Sequence, residues 1–600
     1  MMNQHLTYKN QPTPLSKNAL QVLESRYLRR DEKDKLIETP DEMFRRVAKA
    51  VAQAELKYGT DSDVANWEEK FYHLMRGLLF LPNSPTLMNA GLSAGQLSAC
   101  FVLAVEDSLD AIFTTLKQAA LIQQSGGGTG FNFSKLRPQG DLIRSTGGTS
   151  SGPVSFMKIF DASTEHIKQG GKRRGANMGM INIDHPDVEA FIQAKTDEKV
   201  LRNFNLSVGM RDAFMKAVEE DDNWALIHPV SGKVVKRVKA KRIWQLIVQC
   251  AWQRGDPGLV FLDSIQRSNP LSALGEINAT NPCGEMPLLP FESCNLGSIN
   301  LSRMLFREKD RVSIDWEGIA RAVEIAVRFL DNVIDINHYF IPQVKEATLG
   351  SRKVGLGVMG WAEFLIQLGI PYQSVQALDL GARLMEFINQ QSLKASVKLA
   401  KTRGPFKHWS KSTYFHQKVM VRNATRTSIA PTGSISIIAH TSSSIEPLFA
   451  LVFQRENVLN GQRLLEINPL IIEQLQQHYG GNMPLLNKIR LSGNLSEIEE
   501  IPEATKKLFR TSLEIPFLYH LKHQRVFQKH TDNAVSKTIN LPHEAKVEDV
   551  ALAYKTAWQM GLKGITIYRY GSRKNQVLTT AVAQEKQPQL VEQSCKVCID

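Results

Sequence analysis

Near the middle of the chain runs Asn281-Pro282-Cys283-Gly284-Glu285-Met286-Pro287-Leu288-Leu289-Pro290-Phe291-Glu292-Ser293-Cys294-Asn295, and the rest can be read outward from it. The stretch holds two of only six cysteines in the chain. Prolines 282, 287 and 290 deny it a helix and fix its backbone angles, so it reads as a stiff loop. In an extended segment alternate side chains share a face, which puts Asn281, Cys283 and Glu285 on one side. A thiol with a carboxylate and a carboxamide at that spacing outlines a redox or nucleophilic site. Taken alone, Cys-Gly-Glu also fits a buried structural thiol in a connector.

Length and composition narrow the class. Six hundred residues correspond to about four ordinary domains of ~150 residues each, or to fewer if a large α/β barrel is present. An apolar share of 42% with 22% charged residues is ordinary for a globular protein. The first ten residues lack the apolar core of a secretory leader, and no apolar run approaches the ~18 to 20 residues of a membrane span. Six cysteines fit a reducing, cytoplasmic setting. The net charge of +13 suits anionic small substrates as well as nucleic acid. The basic run Lys233 to Arg242 alternates with apolar residues like the solvated face of an exposed strand. It has no interleaved aromatics, so no nucleic-acid binding is expected.

Residues 1 to 75 read as helical, with Ala19, Leu20, Leu23 and Tyr27, then Met43, Phe44, Val47 and Val51, at helical spacing. Leu97 to Leu103 reads as a short apolar strand carrying Cys100, followed by a helix from Asp110 to Gln124. Gly126 to Gly130 would let backbone amides approach a ligand. Arg137, Arg144 and the Gly-flanked Lys172-Arg173-Arg174 make a basic constellation suited to an anion. Cys250 falls on the core face of a helix, and Ile319 to Ile334 is strongly amphipathic.

Gly355-Leu356-Gly357-Val358-Met359-Gly360 satisfies G-x-G-x-x-G, the hook for a dinucleotide-dependent oxidoreductase. Its preceding segment, Ser351 to Val354, is short and charged, and no acid-ended strand follows. A glycine turn between strand and helix explains it better. Ile429 to Ile438 reads as a strand leading to a helix that opens at Gly433–Ser434, where free N–H groups would face a phosphate. Residues 455 to 515 read as peripheral helices and loops. The terminal Cys595-Lys596-Val597-Cys598 supplies two thiols where a structural zinc needs four ligands, so it reads as a mobile dithiol. On about twenty flexible residues it would reach up to about 65 Å.

Asn281 to Glu285, with Glu292-Ser293-Cys294-Asn295-Leu296-Gly297-Ser298-Ile299-Asn300-Leu301, resembles the finger loop of ribonucleotide reductases. More narrowly it is similar to the adenosylcobalamin-dependent, class II branch. The resemblance runs from about residue 40 to 575 plus the terminal dithiol. It implies a ten-stranded α/β barrel with a central finger loop (76–576, including a nucleotide effector site), a small helical N-terminal region (1–75) and a redox tail (577–600). The N-terminal region is too short to hold an ATP-cone as well, so no overall-activity site is expected.

The resemblance also implies roles. A radical derived from adenosylcobalamin takes hydrogen from Cys283, whose thiyl removes the 3′-hydrogen of a ribonucleoside diphosphate. Glu285, ionised at an ordinary carboxylate pKa of about 4.3, is the general base, and Asn281 binds the sugar hydroxyls. Cys100 and Cys294 supply protons and electrons and end as a disulfide, which Cys595 and Cys598 reduce before thioredoxin or glutaredoxin restores them. Ser84, Ala99, Cys100, Gly128, Asn281, Pro282, Cys283, Gly284 and Glu285 match substrate contacts. Pro431, Thr432, Gly433, Ser434 and Ile435 match the diphosphate site. Asp107, Ser108, Leu109, Arg137, Arg144, Lys172, Arg173 and Arg174 match the site of a dNTP effector. A homodimer is implied, and no protein-bound metal.

The nearest alternative is the large subunit of a class I reductase. Such relays use adjacent tyrosines, whereas Arg569 separates Tyr568 from Tyr570, and Asn-Pro-Cys replaces their usual Asn-Leu-Cys. A regulatory nucleotide-binding protein without turnover would lack one of the reactive thiols.

Overall fold

The computed structural model describes residues 14–93, 95–143, 147–169, 173–309, 311–459, 462–480, 483–572 and 578–580. Short apolar strands alternate with helices through the middle of the chain, the pattern that builds parallel sheets. The strands are β1 (Cys100–Ala104), β2 (Gly128–Asn132), β3 (Asn177–Asn182), β4 (Phe204–Met210), β5 (Gly258–Phe261), β6 (Ser293–Asn300), β7 (Val354–Met359), β8 (Thr538–Leu541) and β9 (Gly564–Arg569). β1 to β5 pair in parallel, in chain order.

β6 and β7 form a second parallel set with the extended segment 425–429, β8 and β9. Hydrogen bonds from Leu356 N to Arg426 O (2.8 Å) and from Ile429 N to Ala534 O (3.1 Å) carry the ladder across this half. The halves meet antiparallel at two seams, β1 with β6 and β5 with β9. Closure leaves no free edge within the ring. This is a ten-stranded α/β barrel of two five-stranded halves, as the resemblance implies.

Alternation along each strand decides which side chains enter the lumen. Cys100 and Val102, Met178 and Met180, Val260 and Leu262, and Cys294 and Leu296 belong to one apolar cluster inside the barrel. Phe101, Leu103, Ile181, Leu259 and Phe261 face outward against helices of the first half. The same rule therefore sends both Cys100 and Cys294 inward, where the register pairs them across the seam.

Among the described residues, three helices of ten or more residues precede the barrel: α1 (Lys17–Arg26), α2 (Pro40–Ala52) and α3 (Asp61–Arg76). α2 starts with a full capping box between Thr39 and Glu42 and has Pro40 in its first turn. Val22, Phe44, Val47 and Phe71 share one apolar cluster with Phe329, Leu330 and Val333 of the helix Trp316–Ile336, so these helices rest directly on the second half-barrel. Beneath them lies a buried ion network. Glu55 pairs with Arg328 and Arg403, and Asp331 with Arg352, Arg403 and Arg422. Against burial, the surrounding guanidinium groups hold Asp331 down at about 2.

Two expectations change. The G-x-G-x-x-G string is not a turn after a strand: Val354–Met359 is itself the barrel strand, paired on one edge with Asn295–Asn300 and bonded on the other to 425–428. Residues 455 to 515 contain more than helices and loops. Strands Val452–Leu459 and Gln462–Ile467 pair antiparallel; the sequence between them holds an Asn-Gly pair, a turn signal that helical periodicity in the flanking segments obscures. The basic run forms the exposed strand Val234–Lys239, paired with Asn223–Ile227. No helix among the described residues is long and apolar enough to cross a membrane.

Candidate active site

The opening stretch enters the lumen as a hairpin. Ala279–Thr280 pairs antiparallel with Pro287–Leu288, and residues 281 to 286 form its tip. The tip is a tight turn, not the extended segment that alternation assumes. Gly284 takes φ +80°, its N–H reaches Asn281 O (3.1 Å), and Met286 N donates to Asn281 Oδ1 (3.0 Å).

Both halves of the barrel hold the tip. From β4, Asn205 Nδ2 donates to Pro282 O (2.9 Å). From the opposite half, Ser428 Oγ and Ala534 N both donate to Glu285 O at 2.9 Å. In β2, the missing side chain of Gly130 makes room for the Thr280 carbonyl, which a Cβ there would overlap. Asn205 and Ser428 carry no motif of their own in the sequence.

At the tip the predicted catalytic residues come together. Asn281 Nδ2 donates to Cys100 Sγ (3.2 Å), and Cys100 Sγ lies 3.9 Å from Glu285 Oε1. Cys100 and Cys294 are strand partners, both buried, and Cys283 is half-buried. None of the four described cysteines is in a disulfide. Burial pushes the Cys100 and Cys294 thiols up, keeping them protonated. Glu285 departs from the ordinary value expected of it. Burial pushes it up to about 7, only partly opposed by hydrogen bonds from Asn281 and Cys100. Its Oε2 is buried and has no hydrogen-bond partner. Such an atom is costly unless something else occupies the space before it.

The remaining substrate candidates surround this centre. Ala99 N donates to Cys294 O (3.1 Å), and a Cβ at Gly128 would lie 2.9 Å from Pro282 Cγ. Thr432 takes the left-handed φ of +57°, and its Oγ1 accepts from Ser444 N (2.7 Å) just before the short helix Gly433–Ala439. α1 reaches the same place: Tyr27 OH lies 2.8 Å from Ser84 Oγ, and Arg26 Nη1 donates to Ser434 Oγ (3.3 Å). Helical periodicity accounts for Tyr27 as core but carries no sign that Arg26 would arrive here.

The effector candidates are only partly joined. Arg137 Nε donates to Asp107 Oδ2 (2.8 Å), so the two pair with each other. Ser108 caps the helix Leu109–Gln124, accepting from Ala111 N (3.2 Å), and Leu109 is exposed. The backbone of Arg173–Arg174 pairs with Lys168–Gln169. Arg144, Lys172, Cys595 and Cys598 lie outside the described residues.

Adenosylcobalamin, which the resemblance implies, requires an open approach to Cys283. The tip provides one: Cys283 is the half-buried thiol of the three, and a Cβ built at Gly284 meets nothing within 4 Å. No cluster of metal-binding side chains occurs among the described residues.

Two family descriptions match this chain: "Ribonucleotide reductase, all-alpha domain" over residues 13–95, and "Ribonucleotide reductase, barrel domain" over 98–421 and 416–568. The chain belongs to the ribonucleotide reductase family. It is 48% identical to a vitamin B12-dependent ribonucleoside-diphosphate reductase of Thermoplasma acidophilum, over 96% of this chain and 81% of that protein. A Mycobacterium tuberculosis protein of the same description is also 48% identical, over 94% of this chain and 81% of its own. The solved class Id ribonucleotide reductase alpha subunit of Actinobacillus ureae superposes with a TM-score of 0.77 at 26% identity, covering 93% of this chain and 97% of that one. The fold is thus shared with a class I subunit, while the sequence stands nearer these two vitamin B12-dependent ribonucleoside-diphosphate reductases, at 48% identity. Ribonucleotide reduction is the activity its geometry must serve.

Proposed function

We propose that this chain converts ribonucleoside diphosphates to 2′-deoxyribonucleoside diphosphates, with Cys283, Glu285, Asn281, Cys100 and Cys294 as the working groups. The observation that carries this reading is the unpartnered Oε2 of Glu285, buried beside two thiols and a carboxamide. A ribose 3′-hydroxyl would supply the missing donor.

Adenosylcobalamin, held on the open side of Cys283 and Gly284, would supply the hydrogen-atom abstraction that turns the Cys283 thiol into a thiyl. The Cys283 thiyl then takes the ribose 3′-hydrogen. Glu285 accepts the 3′-hydroxyl proton, a role suited to a carboxylate poised near neutral pH. Asn281 orients the sugar and Cys100 together, since its amide already binds that thiol. Cys100 gives a proton to the departing 2′-hydroxyl, and it and Cys294 supply two electrons and close a disulfide. The segment Pro431 to Ile435, with Ser84 and Arg26 alongside, receives the diphosphate.

Asp107, Ser108, Leu109, Arg137, Arg144 and Lys172 to Arg174 form the effector site, where a dNTP would exchange the Asp107–Arg137 pair for its own contacts. Cys595 and Cys598 return electrons to the Cys100–Cys294 disulfide and are reduced by thioredoxin or glutaredoxin. We assign residues 1–75 to the helical region, 76–576 to the barrel and 577–600 to the redox tail. Dependence on reduced dithiols favours a cytoplasmic setting. A second copy of the chain completes the assembly. Leu109 and Phe113 on one helix and Ile159 on the next present apolar side chains to solvent, the mark of a protein interface.

The decisive assay supplies CDP, adenosylcobalamin and dithiothreitol to purified protein and measures dCDP. Formation without any added metal partner is expected, and Cys283→Ser should abolish it while CDP still binds. Thioredoxin should replace dithiothreitol only while Cys595 and Cys598 are intact. Continued dCDP formation by the Cys283→Ser protein would remove the assignment.

A further inference from the structure

The residue before β7 is a lysine that the mechanism above leaves unused. Lys353 is 1% exposed, and its Nζ lies 2.6 Å from Glu292 Oε2, itself in a residue 2% exposed. Glu292 is two positions before Cys294 and so shares its face of the extended chain. Its carboxylate also accepts Leu289 N (2.7 Å), closing the base of the hairpin. The parallel register places Asn295 opposite Val354, which sets Lys353 alongside Cys294 one step earlier.

The backbone is bent to achieve this. Arg352 adopts a left-handed φ of +47°, a conformation that costs energy in a non-glycine residue unless its surroundings enforce it. They do: its guanidinium donates to Asp331 Oδ1 (2.9 Å) and to Asp335 Oδ2 (3.0 Å). Arg352 is therefore tied to that buried network while its neighbour Lys353 reaches Glu292 beside the thiols.

The two sulfurs of the reducing pair consequently have different surroundings. Cys100 Sγ lies 3.9 Å from the Glu285 carboxylate and accepts from the neutral Asn281 amide at 3.2 Å. Cys294 has Lys353 alongside it across the parallel register, with Glu292 bound to that lysine at 2.6 Å. In thiol–disulfide exchange the sulfur that leaves more readily is the one whose thiolate is better stabilised.

We propose that Lys353 is a positioning residue for the redox step: its ammonium steadies negative charge on Cys294, so an incoming thiolate attacks Cys100 and expels Cys294. A thiolate of a dithiol reductant bonds to Cys100 Sγ as the Cys100–Cys294 bond breaks, and the bonding electron pair goes to Cys294. The reductant's second thiol then displaces Cys100 and leaves as its own disulfide. Two electrons and the reductant's two thiol protons end on Cys100 and Cys294. This inference rests on the reading of Cys100 and Cys294 as the reducing pair.

The test needs no radical chemistry. The full-length protein is oxidised with diamide, treated with 2-mercaptoethanol, quenched in acid, capped with N-ethylmaleimide and mapped by peptide mass. The first mixed disulfide is expected on Cys100 over Cys294 by about tenfold. Lys353→Arg should keep that preference. Lys353→Met alone leaves a buried carboxylate without its partner, so the informative variant is Lys353→Met with Glu292→Gln. In it the preference should fall below about threefold and reduction should slow, at unchanged circular dichroism. A wild-type adduct mainly on Cys294, or an undiminished preference in the double variant, overturns the role of Lys353. Failure of diamide to link the two sulfurs would instead overturn the reading of the site beneath it.

Discussion

Glu285 carries its charge where charge is disfavoured. With a pKa raised from 4.5 to about 7, the carboxylate is protonated below neutrality and must lose that proton to act as a base. Substrate turnover should therefore rise with pH through about 7, seen as the acidic limb of kcat/KM. The stability consequence has the opposite sign. A raised carboxylate pKa means that folding favours the protonated form, so stability is lost as pH climbs from about 4.5 towards 7. Up to about 3 kcal/mol is at stake above that window. Glu285→Gln should abolish dCDP formation yet resist urea better than the wild type at pH 8, with no such gain at pH 4. Equal urea midpoints for the two proteins at pH 8 would show that burial does not strain this group. Residue identity alone suggested an ordinary carboxylate. The burial that changes it depends on a lumen whose other wall, at Cys100, is 185 positions away.

At the scale of elements, the hairpin is what makes five separate residues into a site. It is anchored by hydrogen bonds to the backbone carbonyls of Pro282 and Glu285, and by the gap at Gly130. The Thr280 carbonyl is backbone and cannot rotate aside, so Gly130→Ala should push the hairpin bodily by something near an ångström. A misplacement of that order costs about a hundredfold in rate. kcat is expected to fall by about that factor while circular dichroism stays native, because the hairpin lies within the ring and is not one of its strands. Near-wild-type kcat in Gly130→Ala would mean the hairpin is seated some other way. Much of this was legible in the sequence: three prolines and two cysteines marked the loop, and inward alternation followed for Cys100 and Cys294 once their strands were known. The tight turn was not, because its hairpin strands are two residues each and one begins at Pro287. Nor was the strand Val354–Met359, whose glycines imitate a nucleotide-binding turn.

The molecule sorts its apolar residues into one cluster inside the barrel and others outside it, and among the described residues a stripe on one outer helix stays exposed. On the helix Leu109–Gln124, Ile112, Ala119 and Ile122 face the barrel, while Leu109 is 64% and Phe113 49% exposed on the other side. Leu121 extends that stripe, and Ile159 adds to it from the helix Pro153–His166 packed alongside. Apolar side chains on two adjacent helices form a surface that a second copy can match with the same surface, as a two-fold interface requires. Asp107 and the capping Ser108 immediately precede Leu109 at the start of this helix, so the proposed effector site would adjoin the interface. Replacing Leu109 and Phe113 together by glutamate should convert a dimer to a monomer in sedimentation at micromolar concentration. The thermal midpoint should stay close to wild type, since both side chains already meet solvent within one chain. Control of base choice by dNTP should weaken in the same variant while basal dCDP formation persists. A wild-type protein that sediments as a monomer, or a double-glutamate variant that still dimerises, would mean that this stripe pairs with nothing of its own kind.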